Sequence, residues 1–150
     1  MSTRTKIFAA VAVLAFLAIA LSRGGEESSA QLQALEDDPV AAYVPHGGKL
    51  VDTETQNEGT SLGKAVSAQY TRMFELSATA AGGALERARE AAVAAGWTLT
   101  EKPGERGFVA EKRAASGRLE LAVVQFRDAL LLPADVQPPA LQISLRHLGS

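Results

Sequence analysis

The segment SAQYTRMFELSATAAGGALERAREAAVAAGWTLTE, residues 67–101, carries a strand pattern, a glycine pair and a helix pattern in succession. In its first part Tyr70, Phe74 and Leu76 alternate with residues of the other face, and this period of two predicts a half-buried strand. Arg72 is the one charged residue in the apolar register of that strand. A strand therefore stands directly before a helix, and the rest of the chain can be assigned outward from this pair.

The helix is predicted from its periodicity and from its end signal. After Gly82 and Gly83, apolar residues recur at helical spacing over residues 84–95, and charged residues occupy the opposite side. Gly96 follows the last helical position, where a glycine ends many helices, and Trp97 stands where an apolar contact would close the cap. Because its apolar side is mostly alanine, this helix can approach a sheet closely.

Four more strands are predicted after the helix, at residues 97–101, 108–113, 118–127 and 141–148. The first two are joined by a turn that contains Pro103 and Gly104, which predicts a hairpin. Three prolines between positions 133 and 139 exclude ladder pairing there. Residues 67–150 therefore predict an α+β domain of order β-α-β-β-β-β, with a mostly antiparallel sheet and one helix on one face.

Two segments precede this domain. Residues 38–66 are interpreted as a partly ordered arm, which begins with a short helix at Asp38-Pro39 and contacts the domain through Tyr43, Val44, Leu50 and Val51. Residues 22–37 have the composition of a flexible acidic linker, and their only large apolar residues are Leu32 and Leu35. A short helix over residues 31–36 is compatible with this composition, although the sequence names no surface for it to pack against.

An apolar stretch of fifteen residues runs from Ile7 to Leu21, behind the basic residues Arg4 and Lys6. Residues 1–21 are therefore predicted to form an apolar helix that is either a retained signal anchor or a cleaved signal peptide. A helix of this length reaches about 22 Å, short of a bilayer core of about 30 Å, and a small-x-small cleavage site stands at positions 18–20. The basic flank predicts a cytoplasmic N-terminus and a domain outside the membrane, or a secreted domain after cleavage.

Composition and charge exclude several classes of site. The chain has no cysteine, so disulfides, thiolate metal sites and a cysteine nucleophile are excluded. Residues 24–64 contain eight acidic and two basic residues, whereas residues 65–150 contain ten basic and nine acidic ones. A domain so close to neutral lacks the basic surface of a nucleic-acid-binding protein, so no nucleic-acid partner is expected.

Two glycine-containing motifs partly match known chemical sites. Residues 59–65 approach the pattern of a phosphate-binding loop, but the glycines are one residue too close and Ala65 replaces the hydroxyl residue that holds magnesium. His46-Gly47-Gly48 approaches an oxyanion-loop signature, but no Gly-x-Ser-x-Gly elbow accompanies it. We therefore interpret the first motif as a flexible surface loop and the second as a glycine turn beside an exposed histidine.

His147 and Trp97 are the remaining candidates for a site. His147 falls in the inward register of the last predicted strand, and no His-x-His or His-Glu-x-x-His spacing accompanies it, so it is interpreted as a rim histidine that caps the apolar face. Trp97 directly follows the helix cap and is interpreted as a packing residue rather than a ligand platform. The sequence accordingly assigns no catalytic, cofactor-binding or metal-binding residue, and no cofactor is expected.

Two motifs of the chain remain to be placed: Asp38-Pro39-Val40-Ala41 with Tyr43, Pro45, Gly47-Gly48 and Leu50, and farther on Ala94-Ala95-Gly96-Trp97. In these motifs the chain resembles a group of small exported proteins of high-GC actinobacteria. Proteins of this group have one N-terminal apolar segment and a compact α+β ectodomain, and most of them are uncharacterised. The resemblance implies this architecture, and it supplies no mechanism and no site residue.

These observations predict a membrane-anchored or secreted cell-envelope protein whose domain is a non-catalytic binding or interaction module. Two alternatives remain open. The first is an envelope hydrolase with an unrecognised site, which would need a polar pocket converging on His147 or His46. The second is an accessory subunit of a membrane complex, whose partner would cover Val124 and Phe126 on the outer face of the sheet.

Overall fold

An antiparallel sheet of six strands forms the centre of the structure, a computed structural model that describes residues 29–100 and 104–149. The described residues form eight strands, which are β1 Gly48–Gln56, β2 Gly59–Ser61, β3 Lys64–Val66, β4 Gln69–Leu76, β5 Thr98–Leu99, β6 Gly107–Ala114, β7 Gly117–Phe126 and β8 Ala140–His147. The main sheet has the order β1-β4-β8-β7-β6-β5, and β2 and β3 form a separate hairpin. The predicted α+β class and antiparallel sheet are confirmed, whereas the predicted apolar helix at residues 1–21 lies outside the described residues.

Three α-helices and two 3₁₀ helices accompany the sheet in the described part of the chain. They are α1 Ala30–Glu36, α2 Ala78–Ala81 and α3 Ala84–Ala94, with 3₁₀ turns at Pro39–Ala42 and Ala129–Leu131. We call the face that packs against α1 and α3 the covered face, and the other the open face. Helix α3 connects β4 to β5, and β8 enters the sheet between β4 and β7.

Helix α3 has the ends and the buried side that its sequence predicts. Ala84, Ala88 and Ala92 are buried against the covered face. At the C-terminal end Gly96 has φ +88°, its N–H donates to Val93 O at 3.0 Å, and the Trp97 N–H donates to Ala92 O at 3.0 Å. This pair of bonds is the Schellman motif, so the predicted glycine cap is confirmed.

A second helix covers the half of the sheet that α3 leaves open. Six strands are about 24 Å wide, whereas a helix covers about 10 Å. Helix α1 packs on β4 and β8, and it buries Leu32 and Leu35 there. The Ser29 side chain caps its first turn by accepting from the Leu32 N–H at 3.1 Å. The linker predicted for residues 22–37 is therefore wrong for residues 30–36, because its two leucines find their packing surface only in the tertiary structure.

A buried carboxylate holds the chain after α1 against the end of α3. Asp38 Oδ1 accepts from the Val40 N–H at 3.0 Å and from the Trp97 indole N–H at 3.1 Å. Its Oδ2 accepts from Lys112 Nζ at 2.8 Å, and Lys112 also donates to Ala95 O at 2.8 Å. The side chain of Asp38 is only 4% exposed. Residues before the sheet, the end of α3 and strand β6 are therefore joined at one group.

Arg72 supplies a second attachment for the same segment. The Arg72 guanidinium lies 4.7 Å from the centroid of the Phe74 ring, and it donates to Ala41 O at 2.7 Å and to Tyr43 O at 3.0 Å. The charged residue that interrupts the apolar register of β4 therefore satisfies two backbone carbonyls of the segment that crosses above it.

The N-terminal segment also contributes a strand to the sheet. Strand β1 pairs with β4 from Gly48↔Leu76 to Gln56↔Gln69, with a bulge between Leu50 and Asp52. The predicted boundary at residue 67 is therefore wrong, because residues 48–56 belong to the main sheet and not to an arm lying on it. The extended conformation predicted around Leu50 is confirmed.

Residues 127–139 fold back over one end of the open face. Val136 is buried in a small cluster with Met73, Phe126 and Ala140, and Val124 packs at its edge. Of the two outer-face residues assigned to an accessory-subunit contact, Phe126 is therefore buried by the chain itself and Val124 is partly buried. This segment contains no strand, as its three prolines predicted.

The hairpin β2–β3 continues from β1 and β4 beyond the end of the sheet. Its two central residues, Leu62 and Gly63, have φ values of +50° and +75°, as in a type I′ turn. Leu62 is 99% exposed, and of the eight residues 59–66 only Val66 is partly buried. A leucine in the left-handed region is strained, because its Cβ crowds the following carbonyl.

Replacing Asp38 by alanine is expected to lower the free energy of unfolding by about 2–4 kcal/mol, because Lys112 and the Trp97 indole lose a buried partner. The neighbouring exposed Asp37→Ala variant should change it by less than about 0.5 kcal/mol. Urea unfolding followed by the fluorescence of Trp97 measures both. Equal effects of the two substitutions would contradict the attachment described here.

Replacing Leu62 by asparagine is expected to raise the free energy of unfolding by about 0.5–1 kcal/mol, because asparagine tolerates the left-handed conformation. The matched variant Leu130→Asn, at another exposed leucine with ordinary backbone angles, should leave stability unchanged. Thermal unfolding of both variants checks this, and a loss of stability in Leu62→Asn would rule out the turn geometry.

Candidate functional site

The two glycine motifs of the sequence lie in turns of the structure. Residues 59–65 form most of the hairpin β2–β3, which is exposed and follows strand β1 without a helix after it, so a phosphate-binding loop is not formed. His46 is exposed in the turn before β1, and the neighbouring Gly47 O accepts from the Ser77 N–H at 3.3 Å. The glycine turn beside an exposed histidine is confirmed. The flexible surface loop predicted for residues 59–65 is wrong, because these residues pair as a hairpin on the surface.

His147 uses both of its ring nitrogens within the domain. Nδ1 accepts from the Gly149 N–H at 3.0 Å, so the proton of the neutral ring lies on Nε2, which is 3.0 Å from Ser116 O. The residue is 1% exposed. Its ring joins the C-terminal segment to the β6–β7 turn, which agrees with the rim position predicted for it. Neither nitrogen is directed at a ligand.

Trp97 and Tyr43 also serve packing. Trp97 is 3% exposed and its indole N–H is bonded to Asp38, so the predicted packing role is confirmed. Burial raises the pKa of the Tyr43 phenol, and the nearby Arg87 lowers it by a smaller amount. The phenol therefore stays neutral at physiological pH, and it offers no anion for catalysis.

A row of polar side chains crosses the open face between β4 and β8. Thr71 Oγ1 and Ser144 Oγ are 3.1 Å apart, and Gln142 Nε2 donates to Ser144 Oγ at 3.0 Å. Gln142 is 3% exposed, and its Oε1 has no hydrogen-bond partner among the described residues. The row lies partly beneath residues 127–139 and it binds the two strands to each other.

A shallow groove of about 420 Å³ lies at the turn between β6 and β7. It is lined by Arg113, Ala114, Gly117, Arg118, Leu148 and Gly149. Arg113 and Arg118 are directly opposite each other on the two strands, and Glu111 lies 3.9 Å from the Arg118 Nε atom. Two neighbouring guanidinium groups with one carboxylate nearby can bind a carboxylate or a phosphate group by donating hydrogen bonds to it.

The sequence analysis did not identify this groove, although the pair of arginines in it could have been predicted. A tight turn at residues 115–116 pairs positions 113 and 118, so the turn assignment already places two arginines side by side. The contribution of Leu148 and Gly149 was not readable, because it depends on β8 lying beside β7. That neighbour relation is set by the tertiary fold.

The described residues form neither a metal-binding cluster nor a membrane-spanning helix. Within residues 29–100 and 104–149, His, Asp and Glu side chains do not gather in a group of three or more that could hold a metal ion. Over the same ranges the helices are too short and too polar to cross a bilayer. The stretch from Ile7 to Leu21 lies outside these ranges.

Comparison with known proteins returns no relative for this chain. No family model matches it, and neither a curated protein nor a solved structure matches it. The resemblance noted in residues 38–50 and 94–97 therefore remains a prediction, and the function is argued from the residues themselves.

The neutral ring of His147 is expected to show the signature of the tautomer protonated at Nε2, because the Gly149 N–H occupies Nδ1. A long-range ¹H–¹⁵N correlation spectrum distinguishes this form, and the exposed His46 provides the internal comparison as a ring in exchange between tautomers. A proton on Nδ1 of His147 would contradict the geometry, since it would face the Gly149 N–H.

Proposed function

We propose that this protein is a cell-envelope protein, anchored in the membrane or secreted after cleavage, whose α+β domain is a non-catalytic binding or interaction module. One observation carries the location: fifteen consecutive apolar residues from Ile7 to Leu21 follow the basic residues Arg4 and Lys6. Apolar residues of this kind favour insertion, and basic residues favour the cytoplasmic side. The N-terminus is then cytoplasmic and the domain lies outside.

The spacing between the apolar stretch and the domain supports a domain close to the bilayer. Only seven residues separate Leu21 from Ser29, where the described structure begins. Seven extended residues span at most about 25 Å. The linker of residues 22–37 predicted from composition is thus shortened by helix α1, and the anchored domain stays near the membrane surface.

The surface of the domain favours binding over catalysis. The groove between Arg113 and Arg118 offers cationic donors, and none of the residues that line it is a nucleophile or a base. The alternative of an envelope hydrolase required a pocket at His147 or His46. The ring of His147 already bonds to Gly149 and Ser116, so both of its nitrogens are engaged within the domain.

Because the chain lacks cysteine, single introduced cysteines report its topology directly. Leu130→Cys places a thiol at a residue that is 86% exposed, and Ser2→Cys places one before the apolar stretch. In intact cells a membrane-impermeant maleimide is expected to label Leu130→Cys, whereas Ser2→Cys is labelled only after permeabilisation. The cysteine-free parent chain is the control for background labelling.

The same labelling separates the two forms of the proposal. A mature chain that keeps the thiol of Ser2→Cys in the membrane fraction is anchored, and a mature chain that has lost it has been cleaved. Protection of Leu130→Cys in intact cells, followed by labelling after permeabilisation, would place the domain in the cytoplasm and overturn the proposal.

A further inference from the structure

We propose that the hairpin β2–β3 is a membrane-contacting element, whose Leu62 side chain enters the interface between headgroups and acyl chains. The inference rests on the membrane anchoring proposed above, and it names the bilayer surface as the partner of one end of the domain. The described chain supplies three independent observations for it: the state of Leu62, the point where the N-terminal segment leaves the domain, and the charge at that end.

Leu62 occupies a position that is unfavourable for a leucine in two respects, its backbone conformation and its exposure to water. Its side chain is 99% exposed, and its backbone has φ +50° at the first central position of the turn. Asparagine is preferred there because it adopts this conformation and is readily hydrated. A leucine at the tip of a protruding hairpin gains nothing from the core, but it gains from transfer into an apolar phase.

The described chain begins at the root of this hairpin, at Ser29. The Ser29 N–H donates to Asn57 Oδ1 at 2.8 Å, and the Ser29 hydroxyl donates to Glu58. Asn57 and Glu58 are the two residues between β1 and β2. The chain that comes from Leu21 therefore meets the domain within a few residues of the hairpin.

The length of the connecting segment decides which end of the domain faces the bilayer. A domain of this size is about 35 Å across, by the usual scaling of its radius of gyration. The seven residues between Leu21 and Ser29 span at most about 25 Å. A domain turned with its hairpin away from the bilayer would need a longer connection, so the hairpin end stays toward the membrane.

Charge at this end indicates an apolar contact rather than an electrostatic one. The charged residues near the hairpin and the adjoining strand ends are Lys64, Arg113, Arg118, Arg146, Glu58, Glu111 and Glu120. Glu120 pairs with Arg146, and Glu111 lies near Arg118. Residues 22–28 add Arg23, Glu26 and Glu27. The two signs nearly balance, so contact with the bilayer should not require anionic lipid.

The test uses the full chain reconstituted into lipid vesicles, with a single cysteine carrying a fluorophore that is sensitive to polarity. Leu62→Cys places the label at the hairpin tip, and Leu130→Cys places it at the opposite end of the sheet, between β7 and β8. Vesicles of phosphatidylcholine alone and of phosphatidylcholine with phosphatidylglycerol are compared. Lipids brominated on the acyl chain quench a label that has entered the bilayer, and iodide quenches one that remains in water.

The label at position 62 is expected to shift to shorter wavelength, to be quenched by brominated lipid, and to be several-fold less accessible to iodide than the label at position 130. The result should be the same in both vesicle compositions.

A label at position 62 that is as accessible to iodide as the one at position 130, in chains that float with the vesicles, overturns the membrane contact and leaves the anchoring intact. Chains that do not float with the vesicles overturn the anchoring and, with it, this inference. A shift that requires phosphatidylglycerol overturns the apolar basis of the contact.

Discussion

The buried carboxylate of Asp38 is the interaction on which the rest of the structure depends. It accepts hydrogen bonds from the Trp97 indole and from the Lys112 ammonium group, at 3.1 and 2.8 Å. Trp97 closes the cap of the long helix, and Lys112 belongs to strand β6. A single side chain thus connects the segment before the sheet, the main helix and one half of the sheet. Because a buried charge is costly without its partners, these three parts are favoured together.

Helix α3 has an alanine face and covers only part of the six-stranded sheet, so other segments must cover the rest. Helix α3 covers only the side of β6 and β7, and helix α1 with its two buried leucines covers β4 and β8. Arg72 holds the chain that follows α1 by donating to two of its carbonyls. On the open face residues 127–139 bury the remaining apolar cluster. The segment before β1 and the segment between β7 and β8 therefore complete the cover of the sheet.

The same arrangement gives the two ends of the domain different surfaces. The hairpin end contains the exposed Leu62, the arginine groove and the point where the chain enters from its N-terminal stretch. The other end contains the proline-rich segment and the start of β8. The two ends of the domain therefore differ, and the hairpin end is the one adjacent to the proposed anchor. This is why a short connecting segment has consequences for orientation.

The sequence was informative wherever local rules apply. Alternation in β4, the glycine cap at Gly96 and the prolines of residues 133–139 each predicted the local structure that is found. The predictions were wrong where packing depends on distant residues. Leu32 and Leu35 were assigned to a linker, and β1 was assigned to an arm, because the strands that receive them lie farther along the chain.

The sequence by itself therefore determined the α+β class, the helix with its cap, the absence of disulfide chemistry, and the presence of an apolar N-terminal stretch. Those features follow from periodicity, backbone preferences and composition, which act over a few neighbouring residues. Only the tertiary structure decided the strand order, the role of Asp38 and Arg72, the second helical cover and the exposure of Leu62. These depend on which distant segments are in contact, and such contacts are set by the burial of the whole chain.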